Sequence, residues 1–316
     1  MNYKRFSKQI CVLLSCVIVT ACMSDQNTPT ADIHMKENGV TNTSLTHKKS
    51  NRDDLNLTVF LDLSDRIKDH VPGSTMKDRD IEVVEQITSA FKDHIKTKKI
   101  IQMDDHVKVI IEPMPNETSI VSEIKALQFE ANKKITLARL ENMPNVFRKG
   151  LDKIYGFAEE ATSFQGSDIF GFFKSEKVRQ YAISEDKDNV LVILTDGYIY
   201  HKNNLIKDGS RKSYVTGTSL SSSGVEKINW QNIIKNDNHG LIRLNADLNM
   251  NVHYPDLEVV VIGLDAGEEH QNFGADIIKA YWREWLKDMS INKVSFIEND
   301  EPSFYETELE RLILGL

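Results

Sequence analysis

Leu55-Asn-Leu-Thr-Val-Phe-Leu-Asp-Leu-Ser64 is an apolar, β-branched run that ends on a carboxylate and a hydroxyl two residues apart. A run this continuous, without polar alternation, marks a strand buried on both faces. Similar runs return at 107–112, at 190–195 (Val-Leu-Val-Ile-Leu-Thr), at 257–264 (Leu-Glu-Val-Val-Val-Ile-Gly-Leu) and at 293–297. Helical patterns lie between them. Residues 80–95 carry apolar side chains at 81, 83, 84, 87, 90, 91 and 95, and further helices are expected at 135–164, 174–183, 276–289 and 302–314, the last opening on a proline. Strand alternating with helix predicts one α/β domain of the open, doubly wound kind, with a mainly parallel central sheet covered by helices on both faces. No internal repeat is visible, so solenoids and propellers are not expected.

The composition agrees with a folded domain. The chain has 316 residues, 40% hydrophobic, 27% charged and 8% aromatic, which excludes disorder throughout, a collagen and a multi-span membrane protein. Lys and Arg total 39 against 47 Asp and Glu, a net charge of -8, and nothing in that balance suggests a surface for nucleic acid. The three cysteines, Cys11, Cys16 and Cys22, fall in the first 22 residues. The body of the chain therefore has no pair from which to make a disulfide or a thiolate metal site.

Those first residues read as an address. Lys4, Arg5 and Lys8 precede the apolar run 10–20, which is too short to span a bilayer with ease and has the length of a secretory signal. It closes on Val19-Thr20-Ala21-Cys22, which resembles the lipobox of bacterial lipoproteins. The resemblance implies a signal peptide at 1–21, lipidation of Cys22 and a lipid-anchored place in the bacterial cell envelope. The alternative is a plain signal peptide cut near Ala21. Residues 23–52 are rich in Ser, Thr, Asn, Asp and Lys and contain no aromatic residue, so 22–52 is expected to be a flexible tether. The folded domain is expected over 53–316, with a long, turn-rich insertion at 198–256. Tyr198, Tyr200, Tyr214 and Trp230 in that insertion favour an ordered cap, with a short helix around 230–234.

Chemistry concentrates at strand ends. In an open α/β sheet ligands bind at the carboxyl edge of the strands. Asp62 and Ser64 stand at that edge of the first strand, and Leu194-Thr195-Asp196-Gly197 brings a second carboxylate to the same edge. Between them, Phe164-Gln-Gly166-Ser167-Asp168 supplies a hydroxyl just before a helical segment. Two carboxylates and two hydroxyls are hard oxygen donors suited to Mg²⁺, Mn²⁺ or Ca²⁺ rather than zinc. Each residue also has a plainer role as a turn or helix cap, and Asp65 and Asp168 are expected to be solvated or capping. His201, His239, His253 and His270 have no paired spacing and are expected as lone surface residues. Tyr281, Trp282 and Trp285 share one face of a predicted helix and are expected in the core.

With these residues in hand, the stretch 55–316 resembles a von Willebrand factor type A domain. That family's metal-ion-dependent adhesion site uses an Asp-x-Ser-x-Ser motif after the first strand, a Thr in a glycine-preceded loop and an Asp in a Thr-Asp-Gly-like turn. The resemblance implies Asp62, Ser64, Ser167 and Asp196 as metal ligands, with Ser167 in place of the Thr. Arg66 occupies the position of the second serine, and a guanidinium has no lone pair to give a cation. Arg66 could instead fill the cation position by pairing with Asp62 or Asp196.

Three functions follow. The leading one is a membrane-tethered binding or assembly module, not an enzyme, in which an acidic side chain of a protein partner completes the coordination of a cation. The second is a metal-assisted phosphohydrolase with Asp62 as nucleophile, Asp196 as metal ligand and Arg66 as phosphate clamp. Against it, Ser64 stands where such enzymes carry a second Asp. The third is a structural lipoprotein with an inactive site.

Overall fold

The computed structural model describes residues 50–64, 76–160, 166–223, 232, 239–270 and 273–316. Its centre is a sheet of six strands, β1 (Leu55–Leu61), β2 (Asp105–Ile110), β3 (Gln128–Ala131), β4 (Asp188–Leu194), β7 (Leu257–Leu264) and β8 (Lys293–Glu298), in the order β3-β2-β1-β4-β7-β8. All neighbours are parallel except β2 with β3. β5 (Lys207–Asp208) and β6 (Arg211–Lys212) form a separate small hairpin. The strand order reverses direction between β1 and β4, which is the switch point where open α/β sheets form ligand crevices.

Helices cover both faces. They are α1 (Met76–Thr97), α2 (Thr118–Ala126), α3 (Leu137–Glu160), α4 (Ile169–Lys174), α5 (Lys177–Ala182), α6 (Gly217–Ser223), α7 (Gly274–Asp288) and α8 (Pro302–Leu314). The strands divide their side chains between two cores. Leu55, Leu57, Val59 and Leu61 of β1 join Val190, Val192 and Leu194 of β4 under α1, α3 and α8. Phe60, Leu191, Ile193, Val259 and Val261 face the other way, against α4, α5 and α7. Full burial of each such side chain contributes roughly 1.5–3 kcal/mol, so the two-faced pattern that makes the runs continuous in sequence is also what holds the sheet between its layers. The doubly wound, mainly parallel architecture is the one expected from that pattern.

Local differences have local causes. The helix expected at 174–183 is α5, which starts only at Lys177 because Glu176 takes a left-handed conformation (φ 57°), and the short α4 precedes it. The helix α2 and edge strand β3 carried no strong signal. β3 has four residues, and only Phe129 and Ala131 of them are buried. The expected helix end at 161–164 lies outside the described residues. Of the insertion at 198–256, Ile199 bridges to Val215, and Leu241, Ile242, Leu244, Val252 and Tyr254 are buried. Its residues around 230–234 lie outside the described set except for Asn232, and so does Trp230.

The amino edge of the sheet is closed by a polar network. Asp105 accepts from His94 Nε2 (2.8 Å), Lys98 Nζ (2.7 Å) and the Leu55 amide (2.8 Å), joining β1, β2 and the end of α1.

Candidate functional site at the carboxyl edge

The two strands that frame the switch point run parallel and in register, with Leu61 beside Leu194. The loops that leave them therefore open at the same edge. The ladder continues one step past the strands, since the Asp62 amide donates to Leu194 O (3.0 Å) and the Thr195 amide to Ile262 O (3.0 Å). That step sets Asp62 next to Thr195, and the Thr195 hydroxyl donates to Asp62 Oδ2 at 2.7 Å. The other carboxylate oxygen, Oδ1, accepts from the Ser64 amide at 3.1 Å. Asp62 is 2% exposed. A buried carboxylate requires such bonds, because an unsatisfied charge in the interior is costly.

The third stretch reaches the same place. Ser167, 4% exposed, accepts the Leu63 amide on its hydroxyl oxygen at 2.9 Å, and its own hydrogen lies toward Leu61 O at 3.4 Å. Gly166, with φ 75°, lies beside Ser64, where an added Cβ would stand at an ordinary contact distance of 4.0 Å. The loop is held from behind by α4, whose Phe170 stacks on Trp285 with ring centroids 5.8 Å apart, while Phe173 meets the same indole edge-on. Asp168 caps α4 by accepting the Gly171 amide at 2.8 Å, as expected for a capping residue.

Asp196 stands at the end of β4, half-buried, and its Oδ1 accepts the Tyr198 amide at 2.9 Å. Gly197 follows with φ 93°, and an added Cβ there would meet Leu264 at 2.4 Å and Ile278 at 2.7 Å, so only glycine fits. Trp282 donates from Nε1 to Gly197 O at 2.8 Å, which pins the turn to α7. Tyr281, Trp282 and Trp285 are buried, as their helical spacing predicts. Farther along the rim Asp265, absent from the sequence-based set, accepts from the Gly267 amide and from Asn299 Nδ2 (2.9 Å).

Thr195 is the residue that sequence reasoning missed. It lies in the quoted Leu194-Thr195-Asp196-Gly197 turn, and the equal phase of the two strand ends was the available signal. Two histidines are also corrected. His201 and His270 are buried rather than at the surface, with 6% and 5% exposure. His201 Nδ1 lies 3.3 Å from Asp168 Oδ2, while Asn204 donates to that same oxygen. Its burial comes from the packing of the insertion against the α4 loop, which no spacing along the chain reveals. His253 is exposed and meets Ser290. Arg66, Asp65 and Cys22 lie outside the described residues.

The rim thus gathers Asp62, Ser64, Ser167 and Thr195, with Asp196 one residue beyond Thr195. Its donor set suits a hard divalent cation. Ser167 keeps one hydroxyl lone pair unused among the described residues, since one accepts the Leu63 amide. Among the described residues no three His, Cys, Asp or Glu side chains cluster as metal ligands, so a cation at this rim would rely on hydroxyls as well as carboxylates.

Fold and rim together define a class, an open α/β domain with an oxygen-rich rim at its switch point. The sequence matches no known protein family, and no curated protein sequence matches it. Among solved structures, the pilus adhesin SpaC of Lactobacillus rhamnosus GG is similar at 12% identity and a TM-score of 0.36, covering 84% of this chain and 31% of the adhesin. Its open conformation gives 13% identity and 0.38 over the same shares. The conserved hypothetical protein BatB of Bacteroides thetaiotaomicron is similar at 10% identity and 0.32, covering 82% of this chain and 97% of that one. The chain thus spans about a third of the adhesin's length. Among the described residues no helix is long and apolar enough to cross a membrane.

Proposed function

We propose that the chain is a lipid-anchored binding module of the von Willebrand factor type A kind, engaging a protein partner through the carboxyl edge of its sheet. Cys22 carries the anchor, 22–52 is the tether and 53–316 the module. Asp62, Ser64, Ser167 and Asp196 hold Mg²⁺, or Mn²⁺ or Ca²⁺ in its place, and an acidic side chain of the partner completes the coordination. The segment 198–256 shapes the recognition surface beside it.

One observation carries this reading. The bonds Thr195 Oγ1 to Asp62 and Leu63 N to Ser167 Oγ tie three stretches, distant in sequence, into one rim at the switch point. Calorimetric titration with Mg²⁺, Mn²⁺ and Ca²⁺ tests it. Binding in the millimolar range or tighter is expected, and it disappears in Asp62→Ala and Asp196→Ala. No heat from any of the three at millimolar concentration takes the cation out of the mechanism.

A further inference from the structure

At the opposite edge the short turn Ile100–Gln102 presents two adjacent isoleucines to solvent, Ile100 at 49% and Ile101 at 69% exposure. Single exposed apolar residues are ordinary, but a pair at the tip of a turn keeps apolar area in water without return. Another exposed apolar residue follows on the next crossing. The last residue of β3, Ala131, pairs with Asp105, so the chain leaving β3 starts beside the turn before β2 and runs to Leu137, which is 69% exposed. Asp54, Ile101, Met103, Asp104, Lys133 and Lys134 line one hollow there.

The chain as a whole is net -8, and carboxylates and lysines both stand at this tip. Lys98 is shared between Asp54 and the buried Asp105, and Asp104 pairs with Lys187 at 2.6 Å. Lys99, Lys133 and Lys134 are exposed and make no ion pair among the described residues, and exposed carboxylates at this edge include Asp53 and Glu130. The chain also enters the domain here. Ser50, Asn51 and Arg52 line a second hollow with Lys98, Lys99 and Gln102, and Lys98 donates to Asp53 O at 2.6 Å.

We infer that this amino edge is a docking face for an anionic lipid bilayer, with Ile100, Ile101 and Leu137 entering the interface and Lys99, Lys133 and Lys134 meeting the headgroups. Apolar tips ringed by lysine are the interfacial signature. A bilayer fits better than an acidic protein because the stretch from Cys22 delivers the chain to this edge and no other, a point that rests on the anchor reading of Cys22. Docked this way, the domain holds its carboxyl rim on the side away from the membrane, open to a partner.

The test uses the full chain, expressed with its leader and reconstituted into phosphatidylcholine vesicles with or without phosphatidylglycerol. Intact mass reports separately whether Cys22 is acylated. A solvatochromic label is placed at Ile101→Cys and, as a control past the opposite edge, at Tyr200→Cys, where the native residue is 55% exposed. With phosphatidylglycerol present, the label at 101 shifts to the blue and is quenched by lipid-borne quenchers, while the label at 200 stays in water. The combined Lys99→Ala, Lys133→Ala, Lys134→Ala variant loses the shift, with partition weakened about a hundredfold. Equal water exposure at both positions in an acylated protein overturns the inference. If the mass shows no acyl chain, the anchor reading fails by itself, and flotation still decides. Binding that needs phosphatidylglycerol and is lost in the triple variant supports the face, and flotation unchanged in that variant, or none, overturns it.

Discussion

At the amino edge Asp105 takes bonds from Lys98, His94 and the Leu55 amide, whereas at the carboxyl edge Asp62 takes them from the Thr195 hydroxyl and the Ser64 amide. Both carboxylates are buried, and both sit where a strand meets a loop. The bonds differ in what they join. Those of Asp105 fasten β1 and β2 to the end of α1, and they are part of the frame. Those of Asp62 join one loop to another at the switch point, and they set the shape of the rim. A buried carboxylate therefore does not mark a site by its burial; its place relative to the strand order does.

The sharpest way to break this contrast is to remove each carboxylate in turn. Asp105→Ala takes the carboxylate from His94, whose Nδ1 is already buried without a partner among the described residues, and leaves Lys98 with Asp54 and Asp53 O alone. Breaking a buried ion pair from one side costs about 3–5 kcal/mol, so a large fall in urea midpoint is expected with cation binding intact in the fraction that folds. The acid limb of stability carries the same signature. Burial pushes the Asp105 carboxyl up, but the bonds from His94, Lys98 and the Leu55 amide outweigh it and hold the group below its ordinary value. A carboxyl depressed in the folded state adds stability that is complete above the unfolded value of about 3.9 and is lost as pH falls through the folded value. Urea midpoints measured from neutral pH downward should therefore drop more steeply below about pH 4 in the wild type than in Asp105→Asn. Equal slopes would deny Asp105 its place in the frame.

Next in size is Asp62→Asn. Replacing one oxygen by an amide nitrogen removes the acceptor for either the Thr195 hydroxyl or the Ser64 amide, at about 1–3 kcal/mol. Here the expected result is reversed, with modest destabilisation and loss of Mg²⁺ binding. Should Asp62→Asn cost as much stability as Asp105→Ala and leave cation binding unchanged, the two edges would be equivalent and the rim would be frame as well.

How far these edges can be read from sequence follows from the same physics. The strands β1, β4 and β7 are legible because both of their faces are buried, which leaves long apolar runs. Asp62 and Asp196 are legible because they end those runs. The bond between Asp62 and Thr195 is not, since it depends on the register of Leu61 with Leu194, a fact of pairing rather than of either strand. β3 was missed because an edge strand of four residues buries only alternate side chains. The burial of His201 and His270 left no periodic trace, and the break at Glu176 is a left-handed residue that only its surroundings select. Asp105 was not legible, since the apolar run read from sequence begins at 107 and His94 and Lys98 reach Asp105 from another element.

A finer experiment asks whether the rim behaves as one unit. Ser167 grips the backbone on either side of Asp62, through the Leu63 amide and Leu61 O, and Thr195 grips the Asp62 carboxylate itself. Ser167→Ala takes the acceptor from a buried amide, and Thr195→Val removes one donor to the Asp62 carboxylate, each at about 1–3 kcal/mol. Because both act on the same three residues, loosening one lets the other's partner shift, and the double variant should depart from the sum by about 0.5–1 kcal/mol. Ser167→Ala combined with His94→Asn joins the two edges instead, with no shared partner among the described residues, and should add within about 0.5 kcal/mol. Urea unfolding of the two cycles measures both terms. Coupling across the sheet as large as coupling within the rim would mean that the carboxyl edge has no geometry of its own, and a crevice that deforms with the frame could not hold three loops to one cation.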